Sequence, residues 1–341
     1  MSAREAIDTV QTTPHDQVRP ALRVERLDVE FDVDGGKLRA VSDVSLEVAE
    51  NETLGIVGES GCGKSTLARA ILQAPPPTAG SVWFDDQDLT TLKGEDLRQV
   101  RPRLQLLLQD PTSSLNPRQT VWHSVAAPLR VWKRGTRAEQ DARVAEVLKQ
   151  VGIDPERAKH SRPAEYSGGQ CQRICLARAL ALRPDVLVCD EVVSALDVLI
   201  QAQILNLLED IRDLYGLTMV FIGHDLAVVR RVSDRVAIMY LGRLCEIGPT
   251  QMVFDHPAHP YTRRLLDSIP LVESATETRT SAAPTGEPPS PLNPPSGCRF
   301  RTLCPKARDH CAVETPELRQ TGDGQWVACH YPNVPVTAAR P

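Results

Sequence analysis

The sequence predicts an α/β domain with a mainly parallel sheet, because short apolar segments alternate with longer helical ones. Four strands are predicted from brief apolar runs: TLGIVG (53–58), LQLLLQ (104–109), DVLVCDE (185–191) and TMVFIGHD (218–225). Helical patterns lie between them, including RAEQDARVAEVLKQVG and VLIQAQILNLLEDIRDLYG; the second ends at Gly216, which can stop a helix. We predict one domain over residues 21–270.

The two ends of the chain differ from this domain in composition. Residues 1–20 predict a disordered leader, residues 271–297 a proline-rich linker, and residues 298–341 a small module with four cysteines. The net charge of −5 argues against a protein that wraps nucleic acid. No apolar run is long enough to span a bilayer, and the first residues lack a signal-peptide pattern, so we expect an intracellular protein.

The segment VGESGCGKST (57–66) contains the motif G-x-x-x-x-G-K-[ST] between a predicted strand and a predicted helix. Its glycines let backbone N–H groups turn toward phosphates, and the start of the helix favours an anion. Lys64 would meet the β and γ phosphates, and Ser65 would offer a hydroxyl to Mg²⁺. An ordinary glycine-rich turn is the alternative. We predict a nucleoside triphosphate site formed by Gly58, Glu59, Ser60, Gly61, Cys62, Gly63, Lys64, Ser65 and Thr66.

Polar side chains follow three other predicted strands, where α/β sheets place their ligands. Asp190 can orient a Mg²⁺-bound water, and Glu191 can polarise the attacking water. His224 could contact the γ-phosphate, and Gln109 could ligate Mg²⁺ or position water. Taken singly, each could be a solvated turn or a helix cap. Together with the phosphate-binding motif they predict a catalytic site.

A further segment, YSGGQCQR (166–173), places a serine and two glycines before a helix, which is a second anion-binding geometry. Together with the phosphate loop, Gln109, LVCDE, SALD (194–197) and His224, in this order, it resembles the ATP-binding subunits of ABC transporters over roughly residues 22–270. QDPTSSLNPR (109–118), HPAHPYTRRLL (256–266) and the C-terminal cysteines resemble more narrowly the ATPases of oligopeptide/dipeptide importers, whose relatives also serve nickel uptake.

This resemblance implies an ABC-type P-loop ATPase fold with a RecA-like core, an antiparallel β subdomain and a helical signature subdomain. It implies a second ATPase subunit, expected to be a paralogue, that meets this one head to tail. It also implies two transmembrane permease subunits, an extracytoplasmic substrate-binding protein that acts through the permease, and a peripheral location at the cytoplasmic face of the membrane. Nucleic acid is not an expected partner.

The resemblance also assigns roles to single residues. Glu191 would be the general base and His224 the γ-phosphate sensor, while Ser65, Gln109 and Asp190 would attend Mg²⁺ and the water. Asp197 would bridge to the partner subunit, and Phe31 is the candidate for stacking on adenine. The segment after Gln109, through Asn116 and Arg118, would receive a coupling helix of the permease. The partner's nucleotide would be met by the signature residues Ser167, Gly168, Gly169 and Gln170.

Four positions depart from the family pattern. Val192 stands where proline is usual, which removes a fixed φ angle after Glu191. Asn51 replaces a glycine, Cys171 a polar residue and Gly223 a serine. None removes a catalytic group. We expect a slower catalytic site in this subunit than in its partner.

The C-terminal cysteines Cys298, Cys304, Cys311 and Cys329 lie in a short charged segment that cannot rest on a core of its own, so a metal would supply stability. Four thiolates could hold an iron–sulfur cluster or Zn²⁺. The resemblance favours a 4Fe–4S cluster, with zinc or no metal as the alternatives. The other five cysteines are expected to be packing residues.

Two other functions remain open at this stage. A soluble ABC-type ATPase that acts on ribosomes or DNA usually has two cassettes or a long coiled coil, which this sequence lacks. An iron–sulfur sensor with an attached ATPase would make the C-terminal cysteines the main functional element.

Overall fold

We describe the protein from a computed structural model, which covers residues 20–34, 36–194, 196–268, 289–321 and 324–339. Most of the predicted leader and of the predicted linker lies outside these residues. The strands are β1 Pro20–Val33, β2 Gly36–Ala49, β3 Thr53–Val57, β4 Ala79–Phe84, β5 Gln87–Asp88, β6 Leu104–Leu107, β7 Val186–Asp190, β8 Thr218–Ile222, β9 Arg235–Tyr240, β10 Arg243–Pro249, β11 Arg319–Thr321, β12 Trp326–Val327 and β13 Val336–Ala339.

The α-helices alternate with these strands through most of the chain. They are α1 Lys64–Ile71, α2 Gly94–Val100, α3 Pro111–Ser114, α4 Val121–Val131, α5 Arg137–Gln150, α6 Pro155–His160, α7 Gly168–Leu180, α8 Val198–Tyr215, α9 Leu226–Val232, α10 Thr250–Asp255, α11 Pro260–Asp267 and α12 His310–Val313. All four predicted strands and both predicted helices are confirmed, and α8 ends at Gly216, which has a left-handed φ of 61°.

The strands form two sheets. The smaller one is antiparallel, in the order β2-β1-β4-β5, and the larger has nine strands in the order β13-β11-β12-β10-β9-β3-β8-β7-β6. Neighbouring strands pair in parallel along β9-β3-β8-β7-β6, whereas β10 pairs antiparallel with β9 and β12. The predicted α/β class is confirmed, and the large sheet is mixed where a mainly parallel one was predicted.

Helices and the smaller sheet bury both faces of the parallel region. Every residue of β3, β7 and β8 is buried. Val186 and Val188 join a core cluster with α1 and the antiparallel sheet, while Leu187 and Cys189 join a second cluster with α4, α5, α7 and α8. This arrangement explains why these strands read as continuous apolar runs rather than as alternating ones.

The C-terminal segment continues the large sheet. β12 pairs with β10, with Val327 opposite Glu246 and Trp326 opposite Ile247. β11 then pairs with both β12 and β13. The described part of the predicted cysteine module is therefore attached to the large sheet by backbone hydrogen bonds.

Candidate nucleotide site

The parallel strands bring the predicted site residues to one edge of the sheet. In the β7–β8 register Asp190 lies beside Ile222, and in the β3–β8 register Ile56 lies beside Ile222. β6 is the other neighbour of β7, with Leu107 beside Cys189. The segments that follow these strands therefore start next to each other, which is the position that ligands occupy in α/β sheets.

The phosphate loop has the backbone geometry that its glycines predict. Gly61 has a φ of 77° and Gly63 a φ of 104°. A Cβ atom at Gly63 would collide with the carbonyl oxygen of Ala40, so the site requires glycine for space as well as for conformation. The loop and the start of α1 form a concave cradle, which fits the triphosphate predicted for it.

Lys64 is buried and held by the loop itself. Its side-chain Nζ donates to the carbonyl oxygens of Gly58, at 2.8 Å, and Glu59, at 3.0 Å. The residue is only 4% exposed. Both acceptors are uncharged carbonyls. A phosphate carries negative charge and is a stronger hydrogen-bond acceptor, so the buried ammonium can exchange these carbonyls for a bound phosphate.

Ser65 and Asp190 are brought together as predicted. The Ser65 hydroxyl donates to Asp190 Oδ1 at 2.8 Å, across 125 residues of sequence. Burial raises the pKa of Asp190, while the Ser65 hydrogen bond and the charge of Arg69 oppose that effect. A hydroxyl and a carboxylate are oxygen ligands of the kind that Mg²⁺ prefers, so this pair fits the predicted magnesium position.

Glu191 lies next to two other residues of the predicted catalytic site, Gln109 and His224. Gln109 Nε2 donates to Glu191 Oε2 at 3.1 Å, and His224 Nδ1 lies 3.7 Å from the same oxygen. Glu191 has a φ of 50°, a left-handed conformation that is uncommon for this residue type, and its N–H donates to the carbonyl of Ile222. The backbone is thus fixed in an unusual geometry at the carboxylate expected to activate water.

A cavity of about 360 Å³ opens in front of the phosphate loop. Phe31 lines it and is 37% exposed, so this aromatic is not a core residue. Six further lining residues were not predicted from the sequence: Leu38, Arg39, Ala40, Leu241, Gly242 and Pro291. Leu241 and Gly242 form the β9–β10 turn, which the dipeptide Leu-Gly between two apolar runs signals, whereas no sequence feature singles out Pro291.

The signature residues lie apart from this cavity. Ser167 is the N-cap of α7, and its hydroxyl accepts from the N–H of Gln170, whose side chain accepts in return from the N–H of Ser167. The lining of the phosphate-loop cavity, in the portion of the chain that is described, includes none of the four signature residues. Asp197 caps α8 by accepting from the N–H of Ile200 at 3.0 Å.

Three of the four departures from the family pattern, Asn51, Val192 and Cys171, lie where the structure accepts the residue present. Asn51 has a φ of 61°, which asparagine tolerates better than most residues. Val192 is 2% exposed and Cys171 is 1% exposed, so both are packing residues. The scattered cysteines Cys62, Cys175, Cys189 and Cys245 are buried as well.

The C-terminal cysteines share one region but do not form a metal-ligand set as placed. Cys298 N–H donates to the carbonyl of Cys311 at 2.8 Å. Burial raises the pKa of Cys298, Cys304 and Cys329, the last to about 12, and repulsion from the neighbouring thiolates adds to the shift. Among the residues that the structure covers, no group of three or more His, Cys, Asp and Glu side chains could hold a metal ion. The iron–sulfur or zinc site stays a prediction.

A phosphate loop after a buried strand, a serine–aspartate pair and a carboxylate beside a glutamine and a histidine define a P-loop ATPase of the ABC cassette class. Residues 41–194 match the sequence model of the ABC transporter family, and residues 245–311 match that of the oligopeptide/dipeptide transporter C-terminal region. The chain belongs to the ATP-binding subunits of ABC transporters.

Individual relatives agree with this assignment. The chain is 45% identical to a probable peptide ABC transporter ATP-binding protein, y4tS of Sinorhizobium fredii, covering 93% of this chain and 91% of that protein. It is 46% identical to the oligopeptide transport ATP-binding protein AppF of Bacillus subtilis, covering 86% and 90%. It is also 46% identical to OppF of Salmonella typhimurium, covering 89% and 94%.

A solved structure shows the same fold. The ATP-binding cassette MJ0796, in a dimeric post-hydrolysis state with ADP and Pi, superposes with a TM-score of 0.61 at 29% identity, covering 67% of this chain and 98% of that one. No helix in the described ranges of this chain is long and apolar enough to cross a membrane.

Proposed function

We propose that this chain hydrolyses ATP to drive an ABC importer of oligopeptides or dipeptides. The observation that carries the proposal is the match of residues 245–311 to the oligopeptide/dipeptide transporter C-terminal region. The identity of 46% to the oligopeptide transport proteins AppF and OppF over most of the chain supports the same cargo class. The matched region 245–311 lies outside the phosphate loop, which all ABC ATPases require.

The proposed assembly contains a second ATPase subunit, two permease subunits and a substrate-binding protein outside the membrane. The position of the signature residues supports a two-subunit site, because Ser167 and Gly168 are exposed and apart from this chain's own cavity. Val198 and Leu199, which follow Asp197, are 79% and 78% exposed, as an interface with a partner subunit requires. This chain would lie at the cytoplasmic face of the membrane.

The proposed site uses the residues that the sheet edge brings together. Gly58 to Thr66 would hold the phosphates of ATP, and Phe31 would stack on adenine. Ser65, Asp190 and Gln109 would hold Mg²⁺, whose charge would offset that of the phosphates. Glu191 would accept a proton from the attacking water, and His224 would contact the γ-phosphate.

The segment after Gln109 is the proposed contact with the permease. Asp110 caps α3 by accepting from the N–H groups of Thr112 and Ser113, which gives this exposed segment a fixed shape. It begins next to Glu191, so a movement of the catalytic residues would be passed directly to the permease.

Anaerobic purification of the tagged full chain from membranes tests the assembly. Recovery of two polytopic proteins and a second ATPase would support the importer, whereas recovery of ribosomes or nucleic acid would support the soluble ATPase instead. The recovered complex, in proteoliposomes with its binding protein, should hydrolyse ATP faster when dipeptides or oligopeptides are added. Stimulation by nickel alone would contradict peptide import and favour the nickel-uptake alternative.

The same anaerobic preparation tests the predicted cluster. We propose four irons and four acid-labile sulfides per chain, with visible absorption that disappears when Cys298, Cys304, Cys311 and Cys329 are all changed to Ser. Zinc in place of iron would support the alternative metal, and neither metal would contradict both. If transport persists in the serine variant but its regulation is lost, the sensor hypothesis gains support; if folding collapses, the cysteines are structural.

A further inference from the structure

The segment HPAHPYTRRLL (256–266) is typical of peptide-importer ATPases, yet the proposed reaction uses none of its residues. In the structure it forms the turn into α11. His259 caps this helix, because its Nδ1 accepts from the N–H of Tyr261 at 3.0 Å. Glu246 in β10 accepts from the N–H groups of Ala258 and His259, both at 2.8 Å, and from the Thr262 hydroxyl at 2.5 Å. The segment is thereby fixed to the large sheet.

This fixed segment brings a tyrosine hydroxyl to the phosphate loop. Tyr261 is 0% exposed, and its hydroxyl oxygen accepts from the backbone N–H of Glu59 at 3.1 Å, across 202 residues of sequence. Its ring packs against Tyr240, with centroids 4.6 Å apart, and against Phe300, with centroids 5.3 Å apart. Burial raises the pKa of the Tyr261 hydroxyl, so the group stays neutral.

The peptide group that is hydrogen-bonded to Tyr261 is also hydrogen-bonded to Lys64. The N–H of Glu59 and the C=O of Gly58 belong to one planar trans unit, so they point in opposite directions. Tyr261 accepts on one side of this unit, and the Lys64 ammonium donates to the Gly58 carbonyl at 2.8 Å on the other. Rotation of this one peptide would break both hydrogen bonds.

We propose that Tyr261 is a positioning residue for ATP binding. Through the Gly58–Glu59 peptide it fixes the position of the Lys64 ammonium before ATP binds. The proposal goes beyond peptide import and rests on the assignment of the phosphate loop to ATP. Without the hydroxyl, the Glu59 N–H loses its partner, the peptide gains freedom, and Lys64 has no single resting position. Binding must then order the loop, so ATP affinity falls while the chemical step is unchanged.

Tyr261→Phe removes only the hydroxyl, and Tyr240→Phe is its matched control. Both rings lie in the same aromatic cluster, and the Tyr240 hydroxyl is buried with no hydrogen-bond partner among the residues described. We expect Tyr261→Phe to raise the Kd for ATP about fivefold to tenfold, as loss of one buried hydrogen bond does, and Tyr240→Phe to change it less than twofold. In the assembled transporter the KM for ATP should rise with kcat unchanged.

The outcomes separate this inference from the ATP site itself. Lys64→Ala should abolish measurable ATP binding; if the wild-type chain does not bind ATP, the assignment of the loop fails. If wild type binds and Lys64→Ala does not, equal affinities for Tyr261→Phe and Tyr240→Phe would overturn the role of Tyr261. A fall in kcat with unchanged KM would overturn it as well.

Amide hydrogen exchange of the unmodified chain tests the contact even if Tyr261→Phe fails to fold. The Glu59 amide should exchange at least tenfold more slowly than the amides of Ser60 and Gly61, which have no hydrogen-bond acceptor in the described part of the chain. Exchange of Glu59 at the rate of these two neighbours would contradict the proposal.

Discussion

Two polar clusters lie on the same nine-stranded sheet and differ in how their carboxylates are surrounded. At the edge formed by β6, β7 and β8, Glu191 lies 3.1 Å from Gln109 and 3.7 Å from His224, and the His224 side chain is 55% exposed. Within β10, Glu246 is 0% exposed and accepts from four donors.

The difference separates a reactive carboxylate from a structural one. A general base needs a lone pair that is free for water, so Glu191 must keep part of its surroundings open. A buried carboxylate with unfilled lone pairs would destabilise the fold, so Glu246 must have them occupied. Its donors come from α11, the turn before it and Gln325, and therefore join three stretches of chain to β10.

The largest effect should come from removing the open carboxylate. Glu191→Gln keeps the size of the side chain but not its basicity, so we expect ATP hydrolysis to fall by about 10²- to 10³-fold with ATP binding retained. Phosphate release from the reconstituted transporter measures it. Glu95→Gln, at an exposed pair with Arg98, is the control and should leave the rate unchanged. Unaltered hydrolysis in Glu191→Gln would remove this residue from the mechanism.

The same variant tests the expectation that this subunit's site is the slower one. If Glu191→Gln here and the matching change in the partner subunit reduce transport equally, the substitutions at Val192 and Cys171 have no functional consequence.

The second effect should appear in stability. Glu246→Ala leaves four donors without an acceptor in a buried position, and we expect unfolding to become easier by about 3–5 kcal/mol. Glu246→Gln fills the space and retains one acceptor oxygen, so it should cost about 1–3 kcal/mol. Denaturant unfolding of the full chain measures both. A loss below about 1 kcal/mol in the free energy of unfolding for Glu246→Ala would show that the hydrogen bonds to Glu246 do not stabilise the fold.

The third prediction concerns the pH dependence of stability at His259, whose N–H donates to Glu246. Burial lowers the pKa of His259 from 6.5 to about 3, so the folded protein keeps this ring neutral while the unfolded chain protonates it. The neutral His259 ring therefore contributes to the free energy of unfolding above pH 6.5, and this contribution is lost as the pH falls toward 3. The loss is about 1.4 kcal/mol per pH unit, or about 2 kcal/mol between pH 6.5 and 5. Unfolding free energies at several pH values measure it.

His259→Asn is the control for this slope. Asparagine can still cap α11 with its side-chain oxygen but does not titrate. The difference in unfolding free energy between wild type and variant should shrink as the pH falls from 6.5 to 5. A constant difference would mean that His259 is protonated in the folded state.

The solvent-open cluster around Glu191 was predictable from the sequence, and the buried cluster around Glu246 was not. Gln109, Glu191 and His224 each follow a short apolar run, and parallel pairing places the ends of such runs side by side. The donors of Glu246 come from residues 12 to 79 positions away, and Gln325 reaches it only because β12 pairs with β10. The one sequence signal was a glutamate inside the apolar run RLCEIGP, which marks a buried charge without indicating its partners.

The Tyr261–Glu59 contact could not be predicted from the sequence for the same reason. Its two residues lie 202 positions apart, and neither carries a local pattern that points to the other. The mixed character of the large sheet was not predicted either. β10 already pairs antiparallel with β9, and the short antiparallel strands β11 to β13 lie in a cysteine-rich segment that shows no strand periodicity.

The smallest expected effect concerns Gln109, which distinguishes a residue that assists Glu191 from one that acts in the reaction directly. Gln109→Ala removes the hydrogen bond to Glu191 Oε2 and the proposed contact with Mg²⁺, but leaves the carboxylate itself. We expect kcat to fall by about threefold to tenfold, far less than in Glu191→Gln, because an oriented base keeps most of its effect when one orienting group is lost. Gln105→Ala is the matched control and should not change kcat, because Gln105 lies in β6, four residues before Gln109, and donates to the nearby carbonyls of Arg101 and Leu104. A loss for Gln109→Ala as large as that for Glu191→Gln would make the glutamine an equal member of the catalytic pair, and the open cluster would then depend on two residues rather than one.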